Sequence, residues 1–123
     1  MTVKLYQARA GDGVNMSTLK RMNTFFGTPQ DAIAEALCLK EKIDAKYNKK
    51  VQWDYEAKIT GKSEKFKILK GYLDGDRKSH PFYLEVQSSE QLKNVPTVSP
   101  MKVKKSLSDK DLKVIKNAEH IFH

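Results

Sequence analysis

A chain of 123 residues with 39% hydrophobic and 31% charged side chains has the composition of a single globular domain. We expect neither a membrane partner nor a secretory leader, because no apolar run approaches the roughly 20 residues of a transmembrane helix and the first residues lack an apolar core. The single cysteine, Cys38, excludes an internal disulfide and favours a reducing, cytoplasmic location.

The net charge is strongly positive. The 23 lysines and arginines outnumber the 15 acids, which gives a formal charge of +8 and a pI near 9.5. Such an excess is the electrostatic signature of a nucleic-acid-binding protein. Lysine-rich surfaces also keep many proteins soluble, so the charge alone leaves both interpretations open.

The N-terminal segment predicts a strand and then a helix. Residues 3–8 alternate loosely between apolar and polar side chains, which indicates a short first strand. Residues 19–26 then place four apolar side chains at helical spacing. We expect a short helix there, capped by Asn15 or Ser17 and ended by Gly27.

The clearest helix signal begins at Thr28. A hydroxyl cap is followed by Pro29 at the first helical position and by Asp31 at the third, where an acid complements the helix dipole. An apolar stripe then continues to about Tyr47. The pattern therefore predicts a long helix from Pro29 to about Tyr47.

Three strands are predicted after this helix. Residues 51–60 alternate without interruption between apolar and polar side chains, which is typical of a strand with one buried face. Residues 65–73 return the chain, with a bulge where Gly71 interrupts the alternation, and residues 82–87 form the third strand. The short connections between them imply an antiparallel meander.

The C-terminal part predicts an extended arm and a last helix. Residues 90–95 favour a single helical turn, and Pro96 and Pro100 keep the following segment extended. Ser108, followed by two aspartates, is the predicted cap of a helix that ends near Phe122.

The expected fold is α+β, a three-stranded antiparallel meander packed against helices in the order (β)αα-βββ-α. It forms a single domain over residues 1–123, made of an α+β core (1–95), an extended basic arm (96–107) and a C-terminal helix (108–122). The side chains expected in the core are Trp53, Tyr55, Phe66, Ile68, Phe82, Leu84, Ile33, Leu37 and Ile43.

We expect phosphate contacts from lysines at helix ends, in hairpin turns and on the arm, converging into one electropositive belt. The open face of the sheet is expected to carry mixed charge and a single aromatic, Tyr83, and to be only a solvated surface. The candidate nucleic-acid-binding residues are Lys46, Lys49, Lys50, Lys62, Lys65, Lys67, Arg77, Lys78, Lys102, Lys104 and Lys105.

These features predict a small, basic, non-enzymatic protein that binds RNA or duplex DNA mainly through phosphate contacts. An alternative stays open: a small inhibitor or accessory protein, of viral or mobile-element origin, that docks on a larger nucleic-acid-handling protein. Docking would use residues 95–103 by strand addition, or an apolar patch near Met16, Met22 and Phe26.

We expect no catalytic residue, no metal and no cofactor. His120 and His123 have the spacing of two metal ligands on a helix, but the sequence offers no third ligand near them. An enzyme would need Asp76 and His80 to act together, whereas the Asp-Gly-Asp sequence there is typical of a turn. Cys38 lies among apolar residues, as a structural thiol does.

Overall fold

The computed structural model describes residues 1–62, 64–105 and 107–122. The predicted α+β class is confirmed, with an antiparallel sheet and two helices. The strands are β1 (Thr2–Gly11), β2 (Thr18–Leu19), β3 (Val51–Asp54), β4 (Thr60–Lys62), β5 (Lys65–Leu73) and β6 (Phe82–Leu92). The helices are α1 (Pro29–Lys46) and α2 (Asp109–Ile121). Within the described ranges, neither helix is both long and apolar enough to cross a membrane.

The sheet is larger than the three strands predicted. Its order is β2-β1-β6-β5-β3, and β4 pairs with β5 beside β3. Strand β1 pairs with β6 along its whole length, from Thr2 opposite Leu92 to Gly11 opposite Tyr83. The first strand is therefore a full member of the sheet, because the long β6 offers it a continuous row of hydrogen-bonding groups.

Residues 19–26 do not form the expected short helix. The chain turns at Met16 and Asn23, which have positive φ angles of 55° and 51°. Phe26 then exchanges backbone hydrogen bonds of 2.9 and 2.8 Å with Tyr6 on β1, and its side chain is buried. This pairing with β1 satisfies the backbone N–H and C=O groups of Phe26. The segment therefore does not need the hydrogen bonds of a helix, although its apolar side chains have helical spacing.

The strand predicted over residues 51–60 is divided by a turn. Strand β3 ends at Asp54, whose Oδ1 accepts the N–H groups of Glu56 and Ala57 at 3.1 and 3.2 Å. The Asp54 side chain gives these N–H groups a hydrogen-bond partner other than a neighbouring strand, so the chain turns here. The alternation of apolar and polar residues in the sequence continues through the turn. The chain returns to the sheet only at β4.

Strand β5 contains a bulge, although not at the predicted position, and β6 is longer than predicted. The register between β5 and β6 shifts between Lys67 and Leu69, whereas Gly71, where the bulge was expected, pairs regularly with Phe82. Strand β6 continues to Leu92, where a helical turn over residues 90–95 was expected. The helical turn is wrong for residues 90–92, because the start of β1 pairs with them. Beyond the strand, the N–H of Val95 donates to the carbonyl of Leu92 at 3.0 Å and closes a single turn.

The predicted caps of α1 and α2 are confirmed. Thr28 Oγ1 accepts the N–H of Asp31 at 3.2 Å, and α1 ends with Tyr47 as its C-terminal cap. Ser108 Oγ accepts the N–H of Asp111 at 3.1 Å and begins α2. In each case the side-chain oxygen satisfies an amide that has no partner within the helix.

Both helices pack on one face of the sheet and enclose the core. Trp53 and Tyr55 face the helices as predicted, although each is only partly buried. Trp53 Nε1 donates to Asp44 at 2.8 Å, and Tyr55 Oη donates to Asp111 at 2.9 Å. Phe66 is also only partly buried, and the predicted core residues that are fully buried are Ile33, Leu37, Ile43, Ile68, Phe82 and Leu84.

The described residues of the predicted arm (96–105 and 107) lie along α1. The N–H of Met101 donates to Glu35 at 2.8 Å, and the N–H of Lys104 donates to Glu41 at 3.0 Å. Nearer the start of the arm, the N–H of Val98 donates to the carbonyl of Phe25 at 3.0 Å. Within residues 95–103, the backbone donors of Val98 and Met101 are therefore used within the chain.

Asp12 connects the end of β1 to the end of α1. Its buried carboxylate accepts hydrogen bonds from Tyr47 Oη at 2.6 Å and from the N–H groups of Val14 at 2.8 Å and Asn15 at 3.0 Å. Lys46 Nζ lies 3.0 Å away. Burial disfavours the charged carboxylate, but these partners outweigh burial and lower the pKa of Asp12 to about 2.

We expect Asp12 to make the free energy of unfolding depend on pH. Because its pKa in the folded protein lies below its ordinary value of 3.8, the stabilisation is present above about pH 4 and is lost as the pH falls towards 2. The shift corresponds to about 2 kcal/mol. Urea unfolding of the wild type and of Asp12→Asn tests this: the gap between the two should shrink in acid, and a constant gap would contradict it.

Candidate nucleic-acid interface

The predicted basic residues lie on two separate surfaces rather than in one belt. Lys62, Lys65 and Lys67 lie on the sheet face opposite the helices. Four others line a groove on the helix side of the molecule, and these are Lys49, Lys102, Lys104 and Lys105. The sheet and its core separate the two sets.

Of the remaining predicted residues, Arg77 reaches the margin of the sheet face opposite the helices, whereas Lys46, Lys50 and Lys78 join neither surface. Lys46 pairs with Asp12, as described above. Arg77 Nη1 lies 3.0 Å from Asp54 Oδ2 at the margin of the sheet. Lys50 and Lys78 lie in exposed turns.

The sheet face opposite the helices, here termed the open face, combines lysines, tyrosines and amides. Residues paired across antiparallel strands share a face, so strand register assigns its members. They include Gln7 and Arg9 on β1, Gln52 and Asp54 on β3, Thr60 and Lys62 on β4, Lys65, Lys67, Lys70 and Tyr72 on β5, and Tyr83, Glu85 and Gln87 on β6. Val3 and Leu5 on β1, with Ser89 and Gln91 on β6, continue the same face.

The expected mixture of charges is present on this face, but the face carries two aromatic side chains, Tyr72 and Tyr83, rather than one. Glu56 and Lys58, expected on this face, lie outside the strands, beyond the end of β3. The register shift in β5 places Lys70 opposite Tyr83 and brings Tyr72 onto the same face. The sequence shows that the alternation of β5 is interrupted. The pairing with β6 decides which side chains move to the open face as a result.

The two carboxylates on the open face are each paired with an arginine. Glu85 is buried and forms an ion pair with Arg9 Nε, and its hydrogen bond raises the pKa of Arg9. The hydrogen bond from Arg77 lowers the pKa of Asp54. Because each of these carboxylates is paired with an arginine, the lysines dominate the electrostatic potential of the open face.

Tyr83 and Tyr72 are diagonal neighbours on this face. The ring of Tyr83 leans over Gly11, where an added Cβ would lie 2.2 Å from Tyr83 Cε1. Lys67 Nζ lies 4.6 Å from the centroid of the Tyr83 ring, and Arg77 Cζ lies 5.0 Å from that of Tyr72. Glycine at position 11 therefore provides the space that the Tyr83 ring occupies.

The open face is not flat, and its described residues line two hollows. One has a volume of about 450 Å³ and is lined mainly by the β4–β5 hairpin, including Lys62, Lys65 and Lys67. A smaller one is lined by side chains that include Arg9, Lys20, Gln7 and Gln87. Gln87 Nε2 donates to Gln7 Oε1 at 2.8 Å, so amide groups capable of hydrogen bonding lie beside the cations.

The groove on the helix side lies between α1 and residues 101–107 and has a volume of about 670 Å³. Its apolar floor is formed by Leu37, Ala45, Met101, Val103 and Leu107. Its lysine rim consists of Lys42, Lys49, Lys102, Lys104 and Lys105. Interaction with the neighbouring ammonium group of Lys105 lowers the pKa of Lys49.

The groups considered for catalysis have structural roles. Asp76 Oδ1 accepts the N–H of Lys78 at 3.0 Å, as in a turn. Cys38 is buried, and burial raises the pKa of its thiol. His123 lies outside the described residues; within them, no three His, Cys, Asp or Glu side chains are grouped to hold a metal ion.

The open face and the groove differ in chemistry. The open face presents lysines and tyrosines on a sheet, whereas the groove presents lysines around an apolar floor. Comparisons of the chain with protein-family models, with curated proteins and with solved structures found no match.

Proposed function

We propose that the protein binds single-stranded nucleic acid on the open face, mainly through contacts between lysines and phosphates, and without catalysing a reaction. The observation that supports this most is the composition of that face. It holds a row of lysines and two neighbouring tyrosines, while its carboxylates are neutralised by arginines. Positive charge and accessible aromatic rings are the two features that single-strand-binding surfaces combine.

The lysines supply affinity without sequence preference. Lys65, Lys67 and Lys70 follow one another along β5, where side chains two residues apart on one face are separated by about 7 Å. Lysine binds phosphate as a point charge, so the row can follow a phosphate backbone of any sequence. Each phosphate contact releases counterions, and binding should weaken as salt rises.

The tyrosines supply contacts to bases. In the free protein each ring has a cation above it, Lys67 over Tyr83 and Arg77 over Tyr72. An exposed cation–π contact contributes about 0.5–1 kcal/mol, whereas a base stacked on an aromatic ring contributes about 1–3 kcal/mol. A base can therefore replace the cation, which then becomes free to contact a phosphate.

Unpaired strands fit this face better than duplexes do. In a duplex the bases are stacked on one another and their faces are inaccessible to a tyrosine ring. Reading a duplex through its major groove needs a helix or a two-stranded ribbon that enters the groove. Tyr72 and Tyr83 instead lie partly buried within a broad sheet.

We expect Lys65→Gln, Lys67→Gln and Lys70→Gln, combined in one variant, to weaken binding of a labelled oligo(dT) or oligo(U) of about 12 nucleotides at least tenfold. The logarithmic slope of affinity against salt should also fall, by about 0.7 for each lost contact. Fluorescence anisotropy across a range of salt concentrations measures both quantities.

The matched control removes the same charge from the groove: Lys102→Gln, Lys104→Gln and Lys105→Gln combined. Affinity of this control for the oligonucleotide should stay close to that of the wild type. If both variants lose affinity equally, only net charge matters and the proposal is wrong. It is equally wrong if the open-face variant binds like the wild type, or if a duplex of equal length binds more tightly than the single strand.

A further inference from the structure

The groove between α1 and residues 101–107 has a composition that suits a different partner. We propose that it binds an acidic, amphipathic segment of another protein, with apolar side chains on its floor and carboxylates along its lysine rim. The floor and rim lie in one continuous depression of about 670 Å³. This is a second binding surface, separated by the sheet from the open face.

The acids of the groove offset only part of the positive charge of the rim. Glu41 accepts the backbone N–H groups of Lys104 and Lys105 at 3.0 and 3.1 Å, and these bonds lower the pKa of Glu41. Asp44 accepts from Trp53 and from Lys40 at 2.8 and 3.3 Å. Glu41 therefore offsets part of the charge of Lys104 and Lys105, and the five rim lysines keep an excess of positive charge that can attract an anion.

Asp111 is engaged in the same way. It accepts a hydrogen bond from Tyr55 Oη at 2.9 Å and lies 3.5 Å from Lys40 Nζ. Lys40 thus lies between two aspartates, Asp44 and Asp111, and serves the interior of the protein. It differs in this respect from the five rim lysines.

Two rim lysines repel each other in the free protein. Lys49 follows the C-terminal end of α1, and Lys105 lies on the arm that crosses it. Their ammonium groups are close enough for Lys105 to disfavour the charged form of Lys49. A carboxylate placed between them would replace this repulsion with two attractive contacts.

The spread of charge favours a polypeptide. Lys42 lies on α1, Lys49 follows the C-terminal end of that helix, and the other rim lysines follow the extended arm. A lipid-like anion would occupy one end of such a rim with its single head group. A nucleic acid would match the charge but has no aliphatic group for the floor. An amphipathic peptide matches both.

Nuclear magnetic resonance of the full chain tests the proposal with a defined probe. The probe is a synthetic peptide of about 14 residues, acidic throughout, with two leucines one helical turn apart. We expect saturable amide shifts at residues 37–49 and 101–107, and at least fivefold weaker binding to a Lys49→Gln, Lys105→Gln variant. The matched control, Lys65→Gln with Lys67→Gln, removes equal charge from the open face and should bind as the wild type does.

Three results would overturn the proposal. The first is an absence of saturable binding. The second is equal binding of a peptide whose leucines are replaced by serine, which would show that charge alone attracts it. The third is occupation of the groove by dodecyl phosphate or oligo(dT) in preference to the peptide. Because the oligonucleotide assays of the open face use other lysines, failure here and failure of the proposed function are distinguishable.

Discussion

Replacing Tyr72 and Tyr83 together with leucine is expected to weaken binding of a single-stranded oligonucleotide at least thirtyfold. Each ring that stacks on a base contributes about 1–3 kcal/mol, so even the lower value gives roughly fivefold for each tyrosine. Leucine keeps an apolar side chain on the open face but removes the aromatic ring. Anisotropy titrations with oligo(dT) measure the effect.

The matched control is Tyr72→Phe with Tyr83→Phe. Phenylalanine keeps the ring and removes only the hydroxyl, so this variant should bind within a fewfold of the wild type if stacking is the interaction that matters. The salt slope of the leucine variant should equal that of the wild type, because its lysines are intact. Equal affinity of the leucine and phenylalanine variants would show that the rings do not contact bases.

Arg21→Ala is expected to reduce the free energy of unfolding by about 2–3 kcal/mol. Arg21 Nε and Nη2 bind both carboxylate oxygens of the buried Glu35 at 2.6 and 2.9 Å, and Met101 donates to the same carboxylate. Removing the arginine leaves a buried carboxylate with a single N–H partner. Loss of one partner from a fully buried pair costs about 3–5 kcal/mol, and the partial exposure of Arg21 reduces this value.

A matched comparison separates the charge from the packing. In Arg21→Met with Glu35→Met both charges are removed, so no buried carboxylate remains without a partner, and the double variant should be more stable than Arg21→Ala. Urea unfolding at neutral pH measures the three proteins. A loss below about 0.5 kcal/mol in Arg21→Ala, comparable to an ordinary surface substitution, would contradict this account of the ion pair.

The helices could be predicted because their signals are local. Thr28 and Ser108 cap the first turn of their own helices, so a few neighbouring residues contain the information. Residues 19–26 were predicted incorrectly because the partner of Phe26 is Tyr6, a residue far away in sequence. The length of β1 and β6 also depended on their mutual pairing, which no local pattern reports.

The candidate sites also combine features that are local in the sequence with features that depend on residues distant in the sequence. The lysines of the open face could be assigned to a strand from the alternation of β5, but Tyr72 joins them only after the register shift. The groove depends on Glu35 and Glu41, two acids of α1 that accept backbone N–H groups of the arm. An acid on a helix gives no sign in sequence that it will hold a segment more than 60 residues away.

The central claim is that unpaired bases contact the open face. Photocrosslinking of an oligonucleotide that carries 4-thiouracil, followed by mass spectrometry of the linked peptides, tests it most directly. We expect crosslinks at Tyr72 or Tyr83 and on the flanking segments of β5 and β6. Crosslinks confined to residues 42–49 and 101–107, or spread evenly over the exposed lysines, would contradict the claim.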